Sequence, residues 1–60
     1  MILHAGNTYQ VRGRRIDVIS VTLDTETFDF VLVIQDEDDG RQNFLMASEF
    51  FAQHPEFITH

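Results

Sequence analysis

The chain has 60 residues, no cysteine, a formal net charge of −6 and a hydrophobic content of 43%. This length allows one small domain, residues 1–60, while the lack of cysteine excludes disulfides and thiolate metal sites and the hydrophobic content excludes intrinsic disorder. A domain of this size buries only about 60% of its unfolded surface, so we expect a homodimer to contribute to its stability.

Two strands are predicted in the first part of the chain. Residues Asn7 to Arg12 alternate in polarity, with Tyr9 and Val11 on one face, which is typical of a half-buried strand. Ile16 to Leu23 is rich in β-branched residues and predicts a second strand, with a β-bulge across Ile16 to Val18. The residues that share one face of this second strand are Ile19, Val21 and Leu23.

Phe28 to Gln35 is the strongest strand pattern in the chain. Its apolar residues occupy both faces, which predicts a central strand covered on both sides. One face carries Phe28, Phe30, Leu32 and Ile34, and the other carries Asp29, Val31, Val33 and Gln35. A polar hairpin loop, Asp24 to Thr27, is expected before this strand.

An acidic turn, Asp36 to Gly40, is expected after the third strand, with Asp39-Gly40 as the signal for a type I′ hairpin. Arg41 to Met46 then predicts a fourth strand, in which Phe44 and Met46 share one face.

A short helix is predicted near the C-terminus, followed by a brief strand. Ser48 is a suitable N-cap for a helix over Glu49 to His54, because Pro55 disfavours helical geometry in the residue before it. Phe50 and Phe51 are adjacent, so we expect one of them at the rim of the core. Phe57 to Thr59 predicts a short closing strand.

The fold class is therefore mainly β (α+β), with four strands, tight turns, one short C-terminal helix and a brief fifth strand. This order matches a small SH3-like barrel, in which a helical turn precedes the last strand. It also matches a four- to five-stranded antiparallel meander with the helix packed across one face, and the pattern does not separate the two.

The opening residues His4 to Gly13, with the sequence HAGNTYQVRG, resemble the start of a small bacterial SH3-like barrel domain family of unknown function. A central strand rich in Leu and Val and a terminal helix with Phe extend the resemblance. The chain departs from the family at Gln42 to Met46, where the family has a Trp-Val-Arg-Pro stretch. The resemblance implies the fold and no activity.

Charge is distributed unevenly along the chain. Arg12, Arg14 and Arg15 are the only charged residues among the first 15, and Arg41 is the only cation after them. The candidate acidic face consists of Asp24, Glu26, Asp29, Asp36, Glu37, Asp38 and Asp39. An acidic body of this kind disfavours general DNA or RNA binding. The arginines either bind a partner's phosphate or carboxylates or offset the acidic turns of the same protein.

The helix region offers a second candidate surface. Phe50, Phe51 and Phe57 either form an exposed aromatic patch that docks on a protein partner or pack in the core.

Neither a metal site nor a catalytic site is predicted. Counted from Asp36, the acidic turn lacks the glycine at position 6 and the glutamate at position 12 of a calcium-binding EF-hand. His4, His54 and His60 do not have the spacing of a helical zinc pair, and no nucleophile elbow or phosphate-binding loop occurs. We therefore expect no enzyme activity and no cofactor.

The sequence predicts a cytoplasmic protein with no membrane segment. The longest apolar run, Phe30 to Ile34, is far shorter than the ~20 residues of a membrane span. The first six residues do not form a secretory signal.

Three functional hypotheses follow from these features. The first is a non-enzymatic protein-interaction or regulatory module that docks through the aromatic helix edge and the acidic face. The second is an acidic mimic of nucleic acid, such as a phage-type decoy inhibitor, and the third is nucleic-acid binding through the arginines.

Overall fold

The computed structural model describes residues 4–58, which form one antiparallel sheet and one short helix. In chain order the elements are β1 (Thr8–Val11), β2 (Arg14–Asp24), β3 (Asp29–Asp36), β4 (Gln42–Met46), α1 (Ala47–Phe51) and β5 (Glu56–Ile58). The sheet order β4-β3-β2-β1-β5 places the last strand beside the first. The mainly β fold with a short C-terminal helix is confirmed, as a five-stranded antiparallel sheet that is open. Thr59, predicted to end the last strand, and His60 lie outside the described residues.

The hydrophobic core lies between one face of the sheet and α1. Its buried members are Tyr9, Val11, Ile16, Val18, Leu32, Ala47 and Phe50. The Tyr9 ring meets the Phe50 ring edge-on, with 5.3 Å between the ring centroids. A helix of five residues is too short to be stable alone, so this packing against the sheet is what stabilises α1.

A β-bulge lies in β2, later than the sequence predicts. The register of β2 against β3 shifts between Val18 and Ser20, which makes Ile19 the additional residue. Ile16 and Val18 are buried before the bulge and Val21 packs against the core after it, whereas Ile19 is exposed. The prediction that Ile19 and Val21 share one face is wrong, because a bulge interrupts the alternation of side chains.

The loop before β3 contains Phe28, which the sequence predicts as the first residue of the strand, on the same face as Phe30. Asp24 pairs with Asp29, so four residues remain for the loop. Phe28 occupies the last loop position, where its φ is +57° and its backbone N–H donates to the Asp24 carbonyl oxygen at 2.8 Å. The prediction that the strand begins at Phe28 is wrong, because this left-handed residue lies in the loop and β3 begins at Asp29.

The loop after β3 is longer than a two-residue hairpin. Gly40 has a φ of +73°, but Asp39 is not among the described residues with positive φ. A type I′ turn needs positive φ at both positions, so the predicted Asp39-Gly40 turn is wrong. The loop is closed instead by a hydrogen bond from the Gly40 N–H to the Asp36 carbonyl oxygen at 2.8 Å.

The helix α1 begins two residues earlier and ends three residues earlier than predicted. Its N-cap is Met46, whose backbone N–H donates to the Glu49 side chain at 3.4 Å. Ser48 lies inside the first turn, so its predicted role as N-cap is wrong. His54 has a φ of +55° and precedes Pro55, which is why the helix does not extend to it.

Candidate interaction surfaces

Two of the three candidate arginines lie against the acidic loop that follows β3. Arg14 Nε is 2.6 Å from Asp36 Oδ2, and Arg14 Nη2 is 3.5 Å from Asp39 Oδ2. Arg15 Nε is 3.6 Å from Glu37 Oε1. These contacts favour the interpretation that Arg14 and Arg15 offset the acidic loop of their own chain. They are surface pairs, which are weak one by one.

Asp36 ties the loop after β3 to the start of β2. The backbone N–H of Asp38 donates to Asp36 Oδ1 at 2.8 Å, and this bond, with a further contribution from the Arg14 guanidinium, lowers the pKa of Asp36. The hydrogen bond and charge of Asp36 in turn raise the pKa of Arg14. The Asp36 side chain is only 14% exposed, so this carboxylate is an inner element of the loop rather than a surface for a partner.

The candidate acidic residues lie in two groups rather than on one face. The first group, Asp24, Glu26 and Asp29, surrounds the loop before β3, and the second group, residues 36–39, lies at the end of β3 and in the loop after it. The length of β3 separates the two groups by roughly 24 Å, at about 3.4 Å per residue. Asp29 Oδ2 accepts a hydrogen bond from Ser48 Oγ at 2.6 Å, which lowers the pKa of Asp29. Within residues 4–58, no group of three His, Asp or Glu side chains is placed to hold a metal ion.

Arg12 differs from the other two arginines, because it forms no ion pair within the described part of the chain. Arg12 and Gly13 have φ values of +53° and +78° and form the two-residue turn between β1 and β2. Positive φ at both positions is the type I′ geometry, which favours Asn, Asp or Gly over a long side chain. The signal was in the sequence, since a glycine follows Arg12 at the predicted hairpin.

A pocket of about 160 Å³ opens beside this turn. Its floor is apolar and consists of Val11, Ile16, Ile34 and Phe50, and its rim is formed by Arg12, Arg14 and Gln53. Arg12 and Arg14 therefore border a hydrophobic cavity, which the sequence did not indicate.

The candidate aromatic residues of the helix region differ in exposure. Phe50 is 1% exposed and belongs to the core, and Phe51 lies at the rim, as expected for adjacent residues on a helix. Phe57 is 54% exposed and lies against Tyr9, with 5.5 Å between the ring centroids. Core packing thus accounts for Phe50, and only Phe57 retains a substantial accessible surface.

The most exposed aromatic side chains are Phe28 and Phe44, at 83% and 78%. Neither is among the residues that the sequence proposed for partner binding. Phe28 lies at the end of the loop before β3, and Phe44 lies at the centre of β4. Single exposed apolar residues are ordinary, but two aromatic rings at this exposure in so small a domain are candidates for contacts.

Phe44 belongs to an apolar strip on the outer face of the sheet. In the β3–β4 register Phe44 is opposite Val33 and Met46 is opposite Val31, so these four side chains share a face. Val31 and Val33 are only half-buried and are not among the residues that pack against the core. The predicted cover on both faces of β3 is therefore wrong for residues 4–58, because one short helix covers only the inner face.

No helix among the described residues is long and apolar enough to cross a membrane. Comparison of the chain with known protein families, curated proteins and solved structures finds no match. The resemblance to the SH3-like barrel family therefore stays a prediction, and any function has to be argued from the surfaces described above.

Proposed function

We propose that the chain is a non-enzymatic protein-interaction module that binds an extended segment of a partner protein along the edge strand β4. The observation that carries this proposal is Phe44, which is 78% exposed at the centre of a strand that pairs only with β3 in residues 4–58. An edge of this kind offers main-chain hydrogen bonds to an added strand, while neighbouring side chains select its sequence.

The composition of β4 supports this use. Its five residues, QNFLM, include no charge, no proline and no glycine. Proteins usually protect an edge strand from unwanted pairing with charged residues, proline or a bulge. An edge without these features is suited to pairing with another strand.

The charge of the chain defines the chemistry of the partner. The net charge of −6 attracts a basic segment and repels an acidic one. Along β4, the apolar strip of Phe44, Met46, Val31 and Val33 favours apolar residues at alternate positions of the added strand. The partner segment is therefore extended, alternating in polarity and neutral to basic.

A set of synthetic peptides tests the proposal. Three peptides of the same alternating apolar pattern, with basic, neutral and acidic polar positions, are titrated against the protein by fluorescence anisotropy. We expect affinity to fall in that order, and amide hydrogen exchange to slow in Gln42–Met46 of the complex. Equal affinity for all three peptides, or protection elsewhere in the sheet, would contradict the proposal.

Two variants distinguish specific binding at the β4 edge from non-specific binding by exposed aromatic rings. Phe44→Thr removes the ring but keeps a residue that favours strands, so we expect peptide affinity to fall about tenfold or more. Phe28→Asn removes an equally exposed ring away from β4, in a left-handed position that Asn tolerates. It should leave peptide affinity unchanged.

Two other hypotheses receive less support from the structure. The acidic-mimic hypothesis needs one continuous acidic surface, whereas the carboxylates lie at the two ends of β3. Nucleic-acid binding needs accessible arginines, whereas Arg14 and Arg15 are paired within the chain. A cytoplasmic location stays a prediction.

A further inference from the structure

We infer that the chain forms a symmetric dimer in which Phe28 of each copy enters the pocket beside Arg12 of the other copy. This contact is separate from the β4 edge of the proposed function, and either can fail without the other.

The pocket matches one aromatic ring in size and polarity. Its volume is about 160 Å³, and its floor is formed by apolar side chains of β1, β2, β3 and α1. An apolar cavity of about 150 Å³ is sufficient to bind benzene. Because the pocket opens to the surface beside Arg12, a ring can enter from outside.

Phe28 is the ring most available to fill such a pocket. It is 83% exposed at the last position of the loop before β3, and its φ of +57° is unusual for a bulky residue. A bulky residue in a left-handed conformation costs free energy that a glycine or asparagine would not, so its presence there suggests a function. Leu23 and Phe30, which pair beside the loop and are also exposed, provide an apolar base around it.

The charges beside the ring are complementary to Arg12, whereas Arg14, which also lines the pocket, is already paired with Asp36 and Asp39. The loop that carries Phe28 also carries Asp24 and Glu26, while the pocket rim carries Arg12. Arg12 has no ion pair within residues 4–58 and also holds a disfavoured left-handed φ of +53°. Insertion of Phe28 would bring these carboxylates to the Arg12 guanidinium, so the contact supplies opposite charge to both sides.

The geometry allows a closed pair in which both contacts form at once. The pocket lies at the Arg14 end of β2 and the loop follows the Asp24 end, which is roughly 30 Å away along the strand. The longest dimension of the described chain is 32 Å. Two copies side by side in opposite directions therefore place each loop at the other's pocket, and a single twofold axis forms both contacts.

Sedimentation equilibrium tests the dimer. We expect twice the mass of one chain, and a Kd that rises by about thirtyfold or more in Phe28→Asn, because a buried aromatic anchor dominates such contacts. Arg12→Asn should raise the Kd by about tenfold, since it removes the charge and the long side chain at the pocket but leaves the Phe28 ring in place. Asn suits the left-handed position in both variants, so circular dichroism should show folded proteins. The control Phe44→Thr should dimerise like the wild type.

Other results would overturn the inference. A monomer at all concentrations, a mass that grows without limit, or a dimer lost in Phe44→Thr but retained in Phe28→Asn would each do so. The last result would assign self-association to the β4 edge.

The chain has no cysteine, which permits a direct test of which regions meet. Thr27→Cys places a thiol beside Phe28, and Gln53→Cys places one at the pocket rim. A mixture of the two variants should form a covalent dimer on mild oxidation, whereas each variant alone should not. Equal cross-linking of each variant with itself would contradict the proposed arrangement.

Discussion

The two edges of the sheet differ in how they are protected. β5 has three residues, follows Pro55, includes Glu56 and holds its Phe57 ring against Tyr9. β4 has five residues without charge or proline, and its central Phe44 points away from the core.

This difference separates stability from binding. Short strands, proline and charge are features that prevent an edge from recruiting another strand, and β5 is short, includes a charged residue and directly follows a proline. The aromatic contacts of β5 mean that changes there should affect the free energy of unfolding. Changes on the outer face of β4 should affect association instead. The predictions below test this division, from the largest expected effect to the smallest.

The largest effect is expected for Phe50, because its ring packs α1 against Tyr9 of β1. Phe50→Ala should lower the free energy of unfolding by about 3 to 5 kcal/mol, because Phe50 is fully buried and its removal leaves a cavity. For a domain this small, that is enough to populate the unfolded state at room temperature. Urea unfolding followed by circular dichroism measures it, and a loss below about 1 kcal/mol would contradict the assigned core.

A smaller loss is expected at the protected edge. Phe57→Ala should lower the free energy of unfolding by about 1 to 2 kcal/mol, because the ring packs on Tyr9 although it is 54% exposed. Amide exchange should accelerate in β5 and in β1, whose residues pair with it. If exchange accelerates equally in β4, the two edges do not respond independently.

The order and type of the elements could be predicted from the sequence because local rules decide them. Alternation at period two identified β1, β3 and β4, and Pro55 correctly indicated that the helix is short. The faces were harder to predict. Alternation shows that Phe44 and Met46 share a face, but it does not show that α1 covers the other one.

The remaining differences depend on strand register. The contact between Arg14 and Asp36 exists because Ile16 pairs with Asp36 across the sheet, and this register is not visible in either segment alone. The sequence allowed two interpretations of the arginines, ion pairing within the chain and binding of a partner, and could not distinguish them. Likewise, the exposure of Phe28 follows from the pairing of Asp24 with Asp29, which places it in the loop.

Acid should loosen β4 before β5. Asp29 accepts a hydrogen bond from Ser48 in α1, and Asp36 contacts Arg14 at the start of β2, so these two residues anchor the ends of β3. The pKa values of both carboxyl groups are lowered in the folded protein. A lowered folded-state pKa stabilises the protein above the unfolded value of about 3.9 and ceases to do so as the pH falls through the folded value. Stability should therefore decline below about pH 4.

The measurement is the thermal midpoint and the amide protection factors over this acidic range. Protection of Gln42–Met46 should fall first, because β5 is held by ring contacts that do not titrate. In the double variant D29N/D36N, the thermal midpoint should fall less steeply as the pH decreases. A decline of the same steepness in that variant would show that other groups cause it.

The smallest effect on stability is expected at the exposed edge. Phe44→Thr should change the free energy of unfolding by no more than about 0.5 kcal/mol, because the ring is mostly in water and Thr also favours strands. Urea unfolding measures this change, with Thr22→Ala as a control on the same outer face, opposite Val31. A loss near that of Phe57→Ala would mean that the Phe44 ring supports the fold. The division between a protected edge that stabilises and an open edge that binds would then be wrong.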